Sequence, residues 1–373
     1  MRRSLVLAMA AVTASGLLLA GCSSNDTPSG SDTASGGSSE GAAPKVGVIL
    51  PDTKSSARWE TADAKYLKEA FDAAGVDADI QNAQGDKTQF QTIADQMITS
   101  GVNVLMIVNL DSGSGKAVLQ KAQAQGIATI DYDRLTLGGG ADFYVSFDNT
   151  KVGQLQGEGL QKCLDDAGKT KANIAYLNGS PTDNNATLFK AGAVAALQAK
   201  TTSGDYTVVA DQAVPDWDNQ QAGTIFEQMY TETAGKIDGV LAANDGLGNA
   251  AIAILKKNGV NGTVPVTGQD ATDQGLQNIL AGDQCMTVYK AVKKEADAAA
   301  ALAIAAAKGD STADLATGSV DDSESGKKVA AVLLDPQAIY FDNVKDVIAD
   351  GYTTKDKVCT ADYAAKCAEA GIS

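Results

Sequence analysis

Seven short stretches of this sequence end in residues able to grip a small polar molecule. "SSARW" brings Arg58 and Trp59, "DYDR" Asp133 and Arg134, and "SPTDNNA" Asp183, Asn184 and Asn185. "AVPDWDN" brings Trp217, "GVLAAND" Asn244 and Asp245, "VPVTGQD" Gln269 and Asp270, and "MTVYK" Lys290. A hydroxyl is both donor and acceptor, so a ring carrying several is matched by Asp, Asn and Arg bonding in pairs. Hydrogen bonds with a charged partner contribute about 1.5–3 kcal/mol each. The C–H faces of such a ring are apolar and pack flat on aromatic rings, and Trp59 and Trp217 are the only tryptophans in the chain. The set fits a polyhydroxylated ring. Blander readings stand beside it. Asp52, Asp183 and Asp245 can N-cap the helices that follow, and for Asp245 the cap is preferred. Asp133 with Arg134 can form a structural ion pair, Trp217 can be a packing residue, and Asn184 can support Asn185.

The elements that position these residues follow from the hydrophobic pattern. The strand candidates are "KVGVIL", "VLMIVN", "IATIDY", "FYVSF", "NIAYLNG", "YTVVADQ", "GVLAAN", "VPVTGQD" and "MTVYK". They alternate with amphipathic stretches such as "ETADAKYLKEAFDAAG" and "VGQLQGEGLQKCLDDAG", several of which end in the Gly expected at a helix stop. Continuous Val/Ile/Leu strands alternating with helices specify parallel sheets covered on both faces. There are too many strands for one comfortable sheet. The chain therefore divides into two doubly wound lobes, with the break near Asp148 and Asn149. Ligands of open parallel sheets sit beyond the carboxyl ends of the strands, where these polar residues fall. Trp59 and Trp217 come from different lobes and can sandwich one ring on closure, with Arg58 as a bidentate donor beside it. "SGSGKA" lacks the first Gly of a phosphate loop and has Ala117 where the Ser/Thr should be, so it reads as a turn into a helix. The Ala-rich "VKKEADAAAALAIAAAKG" reads as a late surface helix with one core-facing side.

Composition removes several classes of function. With no histidine, Ser-His-Asp and Cys-His catalysis and His-based metal sites are excluded. A net charge of −16 with no basic stripe argues against a nucleic-acid partner. Neither cofactor nor metal is called for. Arg2 and Arg3, the apolar run from Leu5 and "LAGC" ending at Cys22 form an export signal over 1–21. Cys22 resembles the lipidated cysteine of a bacterial lipobox. Residues 22–43 then form a flexible Ser/Gly tether to the outer face of a membrane. Cys359 and Cys367 are close enough to staple the C-terminal tail. Cys163 and Cys285 are left either paired or as two free buried thiols.

Taken together, "RW", "DYDR", "FYVSFDN", "GSPTDNNA", "ND", "GQDA" and "MTVYK" resemble the D-xylose-binding proteins of ABC sugar importers, within the ribose/galactose-type (type I) periplasmic binding proteins. The similarity runs from Lys45 to about Tyr352. It implies hydrogen bonds to a sugar from Arg58, Asp133, Arg134, Asn185, Asn244, Asp270 and Lys290, with Trp59 and Trp217 stacking and Asp183 a further contact. It also implies a hinge of three crossovers, so that 44–148 with about 290–334 forms one lobe and 149–289 with about 335–373 the other. The implied function is a monomeric lipoprotein receptor, not an enzyme, that captures a monosaccharide, D-xylose first, and delivers it to a permease driven by a cytoplasmic ATPase. Glucose, ribose, arabinose and galactose are the alternative ligands, and a sensor component the alternative role. A glycoside hydrolase using Asp133 and Asp270 is disfavoured, because Arg58, Arg134 and Lys290 would hold both carboxylates ionised. The resemblance assigns nothing to Gly138–Gly140.

Overall fold

The computed structural model describes residues 44–372; the export signal, Cys22 and the tether lie outside them. The strands are β1 (Lys45–Leu50), β2 (Asp77–Asn82), β3 (Val104–Ile107), β4 (Ala128–Tyr132), β5 (Phe143–Phe147) and β6 (Ala172–Asn178). They continue with β7 (Tyr206–Ala213), β8 (Gly239–Ala242), β9 (Thr287–Tyr289), β10 (Gly318–Asp322), β11 (Lys327–Leu334) and β12 (Gln337–Ile339). One sheet has the order β10-β11-β5-β4-β3-β1-β2, parallel except for β10. The other begins β7-β6-β8, and parallel bridges Val240–Val266 and Gln269–Val288 carry it on to β9, which pairs with β12. "VPVTGQD" thus joins the sheet through bridges rather than as a full strand.

Side-chain alternation explains the two-sided cover. Val46 and Val48 of β1 face a core with Leu67 and Phe71 of helix Ala64–Ala73 and Leu302 of helix Val292–Lys308. Ile49 of β1 faces the opposite core, with Phe90, Met97 and Leu119 of helices Lys87–Thr99 and Ser112–Gln123. Burying both faces is what parallel pairing requires. The Ala-rich helix packs on the first sheet with one face, as its pattern implies, but that face also buries Glu295. Aspartates 86, 111, 148, 183 and 218 accept backbone N–H bonds at helix N-termini, so part of the acidic excess serves capping.

The chain passes between the two sheets three times: between Phe147 and Asn149, between Tyr289 and Val292, and between Leu334 and Gln337. On the second sheet, helices Asn149–Asp166 and Asn184–Thr202 cross almost backbone to backbone. A Cβ built on Gly153 would lie 1.9 Å from the Phe189 carbonyl oxygen, and one on Gly192 would lie 2.1 Å from that of Thr150. Cys163 is joined to Cys285 and Cys359 to Cys367, with Cα separations of 6.3 and 5.8 Å. The first pair ties a helix to the approach to β9; the second closes the tail against helix Asp273–Ala281. The Gly-rich loop is held by a hairpin: the Gly138 N–H donates to Asp322, at the end of β10.

Strands β2, β10, β11 and β12 escape the sequence reading. β2 (DADIQN) is a polar, half-buried edge strand, and β10 and β11 form a charged hairpin added to the far edge. β2, β10 and β12 lack the continuous apolar run that marks an interior parallel strand; β11 has one, "VAAVLL", and lies between β10 and β5.

Candidate functional site

All ten expected contact residues line one chamber, joined by Ser55, Ser56, Phe189 and Gln269. The local folding explains how each side chain arrives. Residues Trp59–Asp63 form a π-helical turn before the α-helix starts. A π turn places residues i and i+5 side by side, and Arg58 and Asp63 are five apart. Arg58 donates to Asp63 from Nε (2.9 Å) and Nη2 (2.7 Å), to Glu295 from Nη2 (2.5 Å) and to Asp133 from Nη1 (2.9 Å). Four of its five N–H groups are therefore engaged. Arg58 is not the bidentate donor expected from the sequence, because its fork is held by Asp63; a single N–H remains on Nη1.

Three chamber residues sit at positive φ: Asp133 (61°), Trp217 (56°) and Asp270 (91°). A non-Gly residue there is strained and persists only where its surroundings fix it. Asp133 is fixed from both sides, by Arg58 and by Asn185 Nδ2, which donates to its Oδ1 (3.1 Å) and its carbonyl (3.0 Å). Trp217 is held by an Nε1 bond to Asp183 (3.1 Å) and by ring contact with Gly179, where any Cβ would lie 2.0 Å from the indole. Asp270 accepts from Ser56 Oγ (2.9 Å). The Trp59 Nε1 donates to Ser55 Oγ, and the Arg58 and Arg134 guanidinium groups lie 4.6 and 5.5 Å from its ring centre.

Asp183 caps its helix and also faces the chamber. Asp245 is not the cap preferred for it. Asn244 takes that place through its Oδ1, while its Nδ2 reaches the Ser55 carbonyl (3.1 Å). Asp245 instead is fully buried, accepting from Thr272, Gln284 and Thr287 behind the loop that carries Gln269 and Asp270. Asp52 caps no helix either; it accepts from the Lys54 and Ser55 N–H groups and shapes the turn over the chamber. Asp133 and Arg134 do not pair with each other: Arg134 lies against Asp183.

Several polar atoms in the chamber keep unused bonding capacity. Arg134 Nε is 3.0 Å from Asp183, and Lys290 Nζ is 3.1 Å from Asp270 Oδ1. These are ion-pair distances, yet Arg134 Nε and Asp270 Oδ1 make no aligned hydrogen bond, and neither does Gln269 Oε1. Buried groups of this kind are costly without a partner. Burial alone would raise the Asp133 pKa, but Arg58, Lys290 and Arg134 outweigh it and hold the group below its ordinary value. A general acid needs the reverse. Burial raises Asp183, partly offset by Arg134.

Gln269 stands in the sequence reading at its strand end beside Asp270, whereas Glu295, five residues after Lys290, does not. Ser55 and Ser56 carry no signal beyond lying beside Arg58. Phe189 carries none. Among the described residues no Cys, Asp or Glu cluster is arranged to hold a metal ion.

The fold and chamber define a binding protein: two sheets, three crossings, and a polar site between residues of both halves. Residues 46–311 match the model of the periplasmic binding protein domain, and the chain belongs to that family as a sugar-binding receptor of the ABC-transporter type, not an enzyme. It is 35% identical to the D-xylose-binding periplasmic protein of Haemophilus influenzae, covering 84% of this chain and 92% of that one. It is 36% identical to a multiple sugar-binding periplasmic protein of Azospirillum brasilense, covering 84% and 90%. Among solved structures, a carbohydrate-transporter solute-binding protein of Chloroflexus aurantiacus in complex with D-glucose superposes with a TM-score of 0.75 at 28% identity, covering 84% and 97%.

Proposed function

We propose that this receptor captures D-xylose in the chamber between its two halves and hands it to an importer permease. The observation that carries this is the chamber itself: unspent donors and acceptors on Arg58, Arg134, Gln269, Asp270 and Lys290, walled by two tryptophans. On this reading Trp59 and Trp217 stack on the ring, and Asp133, Asp183, Asn185 and Asn244 fix the groups that meet its hydroxyls. The moving lobes are 44–148 with 290–334 and 149–289 with 335–373. The bonds Asn185–Asp133, Ser56–Asp270 and Asn244–Ser55 hold them closed. Closure is selected by a ligand touching both lobes. The protein acts as a monomer, anchored through lipid on Cys22.

A broader monosaccharide specificity is the second reading, favoured by the 36% identity to a relative described as a multiple sugar-binding protein. Isothermal titration with D-xylose, D-glucose, D-ribose, D-galactose and L-arabinose separates the two. Tight one-to-one binding of xylose with glucose much weaker supports the first reading. Comparable affinities for several sugars support the second, and no heat with any of them overturns both.

A further inference from the structure

Behind the chamber wall, one guanidinium faces three carboxylates in a space with no exposed member. Arg58 is 2% exposed, Asp63 and Glu295 0%, and Asp133 4%. Asp63 has both oxygens engaged by Arg58, and its Oδ1 also accepts from the Tyr132 hydroxyl at 2.6 Å. Asp133 has Arg58 on one oxygen and Asn185 on the other. Glu295 differs: Oε2 meets Arg58 Nη2 at 2.5 Å, and Oε1 is buried with no partner. A buried carboxylate with one oxygen unpaired is costly, whereas a neutral acid can carry its proton there.

We propose that Glu295 is a positioning residue for ligand binding, a neutral acid that braces Arg58 from behind so that its last free N–H, on Nη1, faces the chamber. This rests on the receptor reading above. The groups facing Glu295 are Arg58, Asp63, Tyr132, Asp133, Tyr144 and Lys290. Burial pushes the acid up, opposed by Arg58 and reinforced by Asp133 and Asp63, to about 8. Ionising Glu295 adds a second uncompensated charge around Arg58 and weakens the field it presents to a ligand hydroxyl. Glu295 itself touches no ligand; it acts through Arg58.

The test compares the wild-type protein with Glu295→Gln and Glu295→Ala by titration with the sugar that the wild type binds best, at pH 6, 7, 8 and 9. Gln reproduces the shape of the neutral acid. If only the neutral form binds well, wild-type affinity falls about tenfold between pH 7 and 9. Glu295→Gln binds like the wild type at pH 6 and stays flat to pH 9, while Glu295→Ala binds at least about tenfold more weakly throughout. Equal pH profiles in the wild type and Glu295→Gln overturn the proposal, as does Glu295→Ala binding like the wild type. Failure of the wild type to bind any sugar strikes the receptor reading instead. The neutral acid is then still read separately, from the proton uptake on folding that Glu295→Gln removes.

Discussion

Gly179 is the position where a single methyl group should reach the ligand without touching it. Its backbone lies outside the left-handed region, so alanine meets no conformational objection there. Its Cβ, however, would fall 2.0, 2.1 and 2.5 Å from Cη2, Cζ2 and Cζ3 of Trp217. Carbon atoms in contact sit about 3.5–4.0 Å apart, so the indole must retreat by about 1.5 Å. It cannot swing freely, because Asp183 holds its Nε1, Phe189 meets it edge-on at 6.3 Å, and the turn at Asp216 and Trp217 is already at positive φ. The remaining room is the chamber. Overpacking costs about 1–3 kcal/mol, and if it is felt mainly in the bound state, Gly179→Ala weakens sugar binding by about 5- to 150-fold. Titration calorimetry measures this, with thermal unfolding as the check that the fold survives. Gly179→Ala with Trp217→Phe should bind more tightly than the two separate losses predict, since the smaller ring makes room for the methyl. Affinity within threefold of wild type in Gly179→Ala, or strict additivity in the double variant, would refute the steric argument.

Stability should fall as pH rises through the neutral range. Burial raises Asp131 and Asp245 to about 7, against bonds from Thr136 and Thr287 respectively, and Glu295 to about 8. Raised acids bind protons more tightly in the folded state, so their contribution is complete below the unfolded values near 4 and is lost on the way to pH 8. No histidine competes in that window. The melting temperature should drop by about 5 °C or more from pH 5 to 8.5; a flat or rising profile in differential scanning calorimetry contradicts the assignment. Two Gly→Ala changes should have opposite signs. Gly223, inside helix Asn219–Glu232, has nothing within 4 Å of a built Cβ, so Gly223→Ala stabilises by about 0.5–1 kcal/mol. Gly153→Ala meets the Phe189 carbonyl and destabilises by about 2 kcal/mol despite the same gain in helix propensity. Urea unfolding of both variants checks the pair.

Much of the site was legible because its residues cluster at strand ends, where topology alone gathers them. Types and spacing brought Arg58, Asp133, Asn185 and Lys290 to one chamber without any knowledge of the distances. The bonding within the chamber was not legible. Whether Arg58 has one free N–H or a whole fork depends on Asp63, brought alongside by an irregular π turn, and on Glu295, which is 237 residues away in the chain. The cap at Asn244 rather than Asp245 depends on a one-residue shift of helix start, decided by Thr272, Gln284 and Thr287 competing for the Asp245 carboxylate. Among the missed strands, β2, β10 and β12 share a cause too, whereas β11 carries an apolar run and lies inside the sheet. Edge strands and hairpins are polar on their open side, and a reading tuned to buried parallel strands passes over them.

Both tryptophans of the chain are in the chamber, 3% and 4% exposed. Light absorbed at the red edge of the indole band therefore excites this chamber and nothing else in the molecule. The emission carries no background from distant reporters to be subtracted. A cation rests near one indole and a carboxylate holds the other, so the spectrum responds to the electrostatics of the cavity as well as to its dryness. The protein is an optical probe of its own occupancy, with no dye attached.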